Sequence, residues 1–376
     1  MVRLRRLVLT LAGILLPAWI APGQQGFYLG DHDRVLYYGD AKPDDRLYAG
    51  FIETYVLTRF PGWSISFAHS GSEGDLKADV FSRQPTVIVM TQVADRKTHQ
   101  SIRSALPGTR ITEVQTGSSP GKGRDAARVE AAGRVAGADD DTLTVDLIAP
   151  VMNVVRKAND AGFTAKVLHN GAPAGQAGHL LMALALLHAW HAPATVTAVE
   201  IDAVGKNVRR SENTTVRDLE SERVVAWTED DEALPMPFDF TEPTIYLAAL
   251  CSNFMGTLNR QSLSVTGLSA WRYKLSIDGE QIGLFTRAQM AEGLNLAAMP
   301  TPMWKQAMAV GELSGKRREV QMARWELFQR PVEGRKSAEW KSALEALDAA
   351  EEDLVNRQRE KLQARTHDYE LLPVEQ

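Results

Sequence analysis

The chain has 376 residues, which is enough for one large domain with an appendage or for two domains. Its formal net charge of -5 and its pI near 6.0 exclude the basic face that nucleic acid would require, so we expect no nucleic-acid partner. The hydrophobic content of 44% and the charged content of 24% are ordinary for a globular protein.

Residues 1–25 have the pattern of a secretory signal peptide. Three arginines precede the apolar run 7–20, and small residues follow it at 21–23 as a cleavage region. An uncleaved membrane anchor is the weaker alternative, because the apolar run is short and contains Pro17. The pattern predicts a secreted or periplasmic protein with no membrane attachment after signal cleavage. The lone Cys251 excludes an internal disulfide, so the mature chain must rely on its core.

Short β-rich runs alternate with helical stretches from residue 34 to about residue 193. The predicted strands lie at 34–40, 64–71, 86–93, 110–117 and 143–150. The predicted helices lie at 46–60, 99–106, 125–137, 150–162 and 177–190. This alternation favours a parallel sheet with helices on both faces, in which ligands bind beyond the carboxyl ends of the strands.

Beyond residue 193 the pattern changes to β-like runs at 196–203, 263–268 and 273–285. In the last run Asp278-Gly279 predicts a hairpin turn, because glycine adopts positive φ at little cost. Helices are predicted at about 303–328 and 338–364. The apolar stripe of the last helix is narrow, and packing on its own domain is more typical of such a stripe than binding a partner helix.

These patterns predict an α/β fold class and four parts of the chain. The parts are a signal peptide (1–25), an α/β domain (26–195), a β-containing extension (196–300) and a helical C-terminal region (301–376).

Motifs spread over nearly the whole mature chain resemble those of a single protein family. Tyr38-Gly39-Asp40 is followed by DDRLYAGFIETYVLTRFPGWSISFAHSGSEGD. Later segments are DVFSRQPTVIVM, APAGQAGHLLMALALLHAWHAPATVTAVEIDA, EALPMPFDF, VTGL, IDGE and NLAAMPTPM. In these motifs the chain resembles the GDSL, or SGNH, hydrolase family, and more narrowly its secreted bacterial members with a C-terminal extension. The resemblance implies a three-layer α/β/α sandwich with a parallel sheet, and the activity of an ester hydrolase.

The resemblance also implies a set of catalytic positions. The family uses a serine nucleophile after Gly-Asp, an oxyanion hole made by the serine amide, a glycine and an asparagine, and an Asp-x-x-His pair. The matching positions here are Asp40, Ala41 in place of the serine, Gly74 at the oxyanion glycine, Asp95 in place of the asparagine, Asn170 in place of the aspartate and Pro173 in place of the histidine.

By this alignment the nucleophile, the base and its orienting acid are all missing. Alanine has no nucleophilic atom, and proline has no titratable nitrogen. Loss of the nucleophile or base of such a triad lowers kcat about a millionfold. Asp95 would repel a developing oxyanion instead of donating to it. The sequence therefore predicts a degenerate esterase-like protein with no catalytic residue, cofactor or metal, whose strand-end pocket binds a carbohydrate or acylated ligand.

An active esterase with a relocated nucleophile, acting on acylated carbohydrate, is the alternative. Ser70 and Ser72 lie near a strand end beside His69, and His169 adjoins the old aspartate position. Adjacent strand residues point to opposite faces, which disfavours a pair of His69 with Ser70. His179, at the start of a predicted helix, is interpreted as structural.

A metal site is a further alternative. Acidic residues at or beyond the strand ends carry the oxygen ligands that Mg²⁺ and Ca²⁺ prefer. They are Asp40, Asp44, Asp45, Asp75 and Asp95. Acidic side chains also populate solvated loops and helix N-termini for reasons unrelated to metal, and this is the favoured interpretation.

Overall fold

The computed structural model describes residues 26–39, 47–70, 76–90, 96–115, 134–136, 142–162, 168–169, 172–173, 175–239, 241–328 and 337–374. The predicted signal peptide lies outside this part of the chain. Within it, no helix is both long and apolar enough to cross a membrane.

A six-stranded sheet forms the first half of the described chain. Its strands are β1 (Arg34–Tyr38), β2 (Ser66–Ser70), β3 (Val87–Met90), β4 (Arg110–Gln115), β5 (Arg134–Ala136) and β6 (Thr142–Asp146). The order is β2-β1-β3-β4-β6-β5, and every pairing is parallel except that of β5 with β6. The α/β class with a parallel sheet is therefore confirmed.

The predicted helix over 125–137 is wrong at its end. Residues 134–136 form β5, which pairs antiparallel with residues 143–145 of β6 at the edge of the sheet. Backbone pairing with a neighbouring strand thus overrides the helix propensity of this alanine-rich segment. The rest of the predicted helix, 125–133 and 137, lies outside the described residues.

Helices cover both faces of the parallel sheet. The helices of this half are α1 (Leu47–Arg59), α2 (Leu76–Asp79), α3 (Arg96–Ala105), α4 (Ile148–Asp160) and α5 (Gly175–Ala189), and a short hairpin of β7 (Leu168–His169) and β8 (Ala172–Pro173) precedes α5. Because strand side chains alternate, Val35 and Val89 face a large core with α1, α4 and α5, whereas Leu36 and Ile88 face a smaller core with Ile102 of α3.

Two further sheets form the C-terminal half. Their strands are β9 (Thr195–Asp202), β10 (Asn207–Glu212), β11 (Thr214–Ser221), β12 (Val225–Asp231), β13 (Arg260–Thr266), β14 (Arg272–Ile277), β15 (Glu280–Thr286), β16 (Leu294–Asn295) and β17 (Thr366–Pro373). The orders are β10-β9-β13-β16 and β11-β12-β17-β14-β15. The predicted hairpin turn is confirmed between β14 and β15, where Asp278 and Gly279 have φ of 51° and 75°.

The remaining helices lie in the second half of the chain. They are α6 (Pro243–Cys251), α7 (Phe254–Thr257), α8 (Arg287–Glu292), α9 (Pro302–Phe328) and α10 (Ala338–Lys361). Ile245 of α6 and Phe254 of α7 belong to the large core of the parallel sheet, although they lie inside the segment expected to be a β-containing extension. The C-terminal region also contains β17, which pairs with β12 and β14 and buries His367, Tyr369 and Leu371 in alternation.

One buried arginine joins the two halves. Arg317 of α9 donates to Glu53 of α1 at 2.5 Å, to the carbonyl of Phe67 in β2 at 2.8 Å and to Glu351 of α10 at 3.0 Å. Only 9% of the Arg317 side chain and 6% of that of Glu53 are exposed. The α9–α10 pair is therefore fixed to the parallel-sheet half by a desolvated ion pair.

Candidate ligand-binding edge of the parallel sheet

The strand order makes the carboxyl ends of β1 and β3 the expected place for a ligand crevice. In doubly wound sheets a ligand cleft opens where the strand order reverses, and here β2 and β3 flank β1 on opposite sides. Gly39 follows β1 with a φ of 143°, a backbone conformation that favours glycine. The Gly39 N–H donates to the carbonyl of Ser70 at the end of β2, 3.3 Å away.

Most of the sequence-predicted site positions lie outside the described residues. These are Asp40, Ala41, Gly74, Asp95 and Asn170. The strands that precede the first four of them, β1, β2 and β3, are adjacent and parallel, so the carboxyl ends of these strands lie at one edge of the sheet. Pro173 is described only in its backbone, as part of β8 opposite Leu168.

The proposed acidic ligands are likewise outside the described residues, since Asp44, Asp45 and Asp75 join Asp40 and Asp95 there. Among the residues that the structure describes, no group of three His, Cys, Asp or Glu side chains could hold a metal ion.

A layer of four rings lies just beneath this edge, on the side of α1 and α5. Tyr37 of β1 stacks on His69 of β2 with 5.1 Å between ring centroids, and Tyr48 of α1 stacks on His179 of α5 at 6.4 Å. Tyr37 and Tyr48 meet edge to face at 6.1 Å. Burial raises the pKa of Tyr37 well above its ordinary value, so the phenol stays protonated. His179 is thus part of a buried aromatic layer.

The pair of His69 with Ser70 is not formed. His69 is in register with Tyr37, and Ser70 is in register with Tyr38. Tyr37 belongs to the large core and Tyr38 to the small one, so His69 and Ser70 point to opposite faces of the sheet. Ser72 and the side chain of His169 lie outside the described part of the chain.

A histidine–carboxylate pair that sequence reasoning missed lies near the carboxyl end of β4. Nε2 of His99 in α3 is 2.6 Å from Oε1 of Glu113 in β4, and 15% and 13% of the two side chains are exposed. Glu113 is in register with Met90, the last residue of β3. In general base catalysis by histidine, a carboxylate often orients the imidazole ring in this way. The sequence carries no motif that would join these two positions.

Comparisons with known proteins give one informative similarity. No protein-family model matches the chain, and no curated protein matches it either. Among solved structures, the chain is similar to a gut microbial diltiazem-metabolizing enzyme, with 22% sequence identity and a TM-score of 0.73. The similarity covers 92% of this chain and 98% of the other, and therefore includes both the parallel sheet and the C-terminal sheets. The two proteins share a fold.

Proposed function

We propose that the protein is a secreted, catalytically degenerate relative of the SGNH hydrolases that binds a carbohydrate or an acylated small molecule. In this proposal the parallel sheet and its helices are the family's α/β/α sandwich, and the ligand lies at the carboxyl ends of β1, β2 and β3. The observation that carries it is the exit of the chain from β1 at Gly39, immediately before Asp40 and Ala41. The family's nucleophile would stand at this exit, and alanine cannot replace it.

The fold comparison supports a hydrolase-like origin and a small-molecule ligand. The protein of similar fold is an enzyme that metabolizes a small-molecule drug. If this chain keeps the same cleft while lacking nucleophile and base, binding is the activity that needs the fewest groups. A concave site at a topological switch point retains its shape when catalytic side chains are replaced.

Two measurements on the purified mature chain test the loss of chemistry. Hydrolysis of p-nitrophenyl acetate should not exceed that of an unrelated protein with surface histidines. A serine-directed fluorophosphonate probe should label no residue. Stoichiometric labelling of a single serine would show that a working nucleophile exists and would overturn the proposal.

Ligand binding at the strand-end edge is tested by a thermal-shift screen of oligosaccharides and acylated sugars. Compounds that stabilise the wild type should not stabilise Ala41→Trp, because an indole at this position fills the cleft. A screen with no stabilising compound, or an equal response of the Trp variant, would count against the pocket.

An active hydrolase with relocated groups is the second candidate function. The observation that favours it is the 2.6 Å contact of His99 with Glu113, which supplies an oriented imidazole near the carboxyl end of β4. In that case fluorophosphonate labelling should occur in the wild type and disappear in His99→Gln. The exposed His32, substituted in the same way, is the matched control and should leave labelling unchanged.

A further inference from the structure

A cavity of about 340 Å³ lies between the two halves of the molecule, away from the six-stranded sheet itself. Its walls are α1, α6, α9, the segment 237–239 and the first turn of α5. Most of its lining is apolar, from Leu47, Phe51, Pro237, Phe238, Ile245 and Met308. The volume is at the lower end of the range for ligand pockets, so a matching ligand is small.

We propose that this cavity binds a small amphipathic carboxylate, with its apolar body between α1 and α9 and its carboxylate on Arg318. Arg318 lines the cavity from α9, and its Nη1 lies 3.9 Å from the place that a side-chain carbon on Gly50 would occupy. Glycine at position 50 therefore places no side chain between α1 and the guanidinium.

The polar groups around the cavity favour an anion over a cation. Asp239 is already engaged, since it accepts from the backbone N–H and the hydroxyl of Thr241 at 2.8 and 2.6 Å. Glu312 is exposed to solvent, which screens its charge. Arg318 is partly buried, and within the described part of the chain it makes no hydrogen bond or ion pair. Among the described lining residues, the partly buried charge without such a bond is thus positive, whereas the carboxylates of Asp239 and Glu312 lie on exposed residues.

The hydroxyl groups of the lining are also committed. Thr54 donates to the carbonyl of Gly50 at 2.8 Å, and Ser314 donates to the carbonyl of Val310 at 3.2 Å. A ligand rich in hydroxyl groups would therefore find few partners here, unlike one with a single anionic end. The N-terminal ends of α1 and α5, at Leu47 and Gln176, also border the cavity and add to the positive potential.

This inference goes beyond the proposed function, because it does not depend on the residue at position 41 or on the strand-end cleft. The two sites can be separated by experiment. Ala41→Trp should abolish binding at the strand-end edge and leave carboxylate binding in the cavity unchanged.

The cavity is tested with octanoate as the probe, measured by isothermal titration calorimetry on the full mature chain. Gly315 lines the cavity, and a side-chain carbon added there would meet no atom within 4 Å. Gly315→Leu should therefore fold, fill the cavity and weaken octanoate binding at least tenfold. Gly315→Ala is the matched control: it makes the same gain in helix propensity, keeps the space and should bind octanoate as the wild type does.

The charge is tested with Arg318→Gln, which should weaken octanoate binding about tenfold and leave octanol binding unchanged. Octylamine should bind the wild type more weakly than octanoate. The proposal is overturned if the wild type does not bind octanoate at millimolar concentration, if Gly315→Leu binds it equally, or if octylamine binds more tightly.

Discussion

The two halves of the molecule differ in what their strands place in the core. Strands β1 and β3 of the parallel sheet present only apolar and tyrosine side chains to the cores on their two faces. Strand β12 of the C-terminal half instead presents Trp227, Glu229 and Asp231 to one face, and Glu229 and Asp231 are only 2% and 6% exposed. Strands β1 and β3 therefore carry no buried carboxylate, whereas β12 carries two.

The two buried carboxylates have raised pKa values. Burial raises the pKa of Glu229 to about 8 and that of Asp231 to about 6. Hydrogen bonds to the two carboxylates lower these pKa values only in part. The indole N–H of Trp227 donates to Glu229 at 2.6 Å, and the Gln261 amide donates to Asp231 at 3.2 Å. In this half, therefore, the two carboxylates with raised pKa values are packed into the core. A raised pKa alone does not mark a functional site.

The largest expected effect concerns the link between the halves. Arg317→Met leaves Glu53 buried without its cation, so we expect unfolding free energy to fall by about 3–5 kcal/mol. Urea denaturation followed by tryptophan fluorescence measures the loss. If Arg317 also couples the halves, we expect one transition in the wild type and two in the variant.

The double variant Glu53→Leu with Arg317→Met is the control for that experiment. It removes both charges, so much of the lost stability should return. A loss below about 1 kcal/mol in the single variant, as is usual for exposed pairs, would mean that the ion pair is not desolvated and that the halves are held by apolar packing alone.

A second, smaller effect is a pH dependence of stability that comes from the C-terminal half. Below pH 4.5, the ordinary pKa of glutamate, Glu229 is protonated in both the folded and the unfolded chain. Between pH 4.5 and pH 8 it ionises in the unfolded chain but stays protonated in the folded chain. Stability should therefore fall as pH rises through this window. Glu229→Gln removes the Glu229 part of this dependence, while Asp231 keeps its own part below about pH 6. The variant should therefore gain stability over the wild type as pH rises from 5 to 8, by on the order of 2 kcal/mol.

The exposed Glu232→Gln is the matched control for Glu229→Gln, since it lies just beyond β12 and is accessible to solvent. It should leave the pH profile as in the wild type. An unchanged profile in Glu229→Gln as well would show that the carboxyl group is hydrated in solution, and the contrast between the two halves would disappear.

The sequence predicted the parallel-sheet half well because its elements are bounded by clear signals. Strand β1 was expected at 34–40 and spans Arg34–Tyr38, and helix α1 was expected at 46–60 and spans Leu47–Arg59. The last predicted strand, 143–150, was too long, because α4 already begins at Ile148, where Asp146 accepts from the first backbone N–H groups. Apolar runs alone do not mark that change from strand to helix.

The C-terminal half was less predictable from sequence. Strands β10 and β11 are rich in charged residues and mostly exposed, so they lack an apolar run, and β17 follows a long helix almost directly. The contact of His99 with Glu113 and the cavity beside Arg318 depend on packing between distant elements. No local pattern could have predicted either of them.

The smallest expected effect compares one glycine from each half. Gly279 in the β14–β15 turn has a φ of 75°, whereas Gly108 before β4 is not at positive φ, and a side-chain carbon at either site meets no atom within 4 Å. Alanine therefore tests backbone conformation alone. Gly279→Ala should cost about 1 kcal/mol because the turn needs positive φ, and Gly108→Ala should be neutral or stabilise by about 0.5 kcal/mol by restricting the unfolded chain. Thermal unfolding of both variants measures the difference, and equal melting temperatures would show that the turn relaxes to accept a side chain.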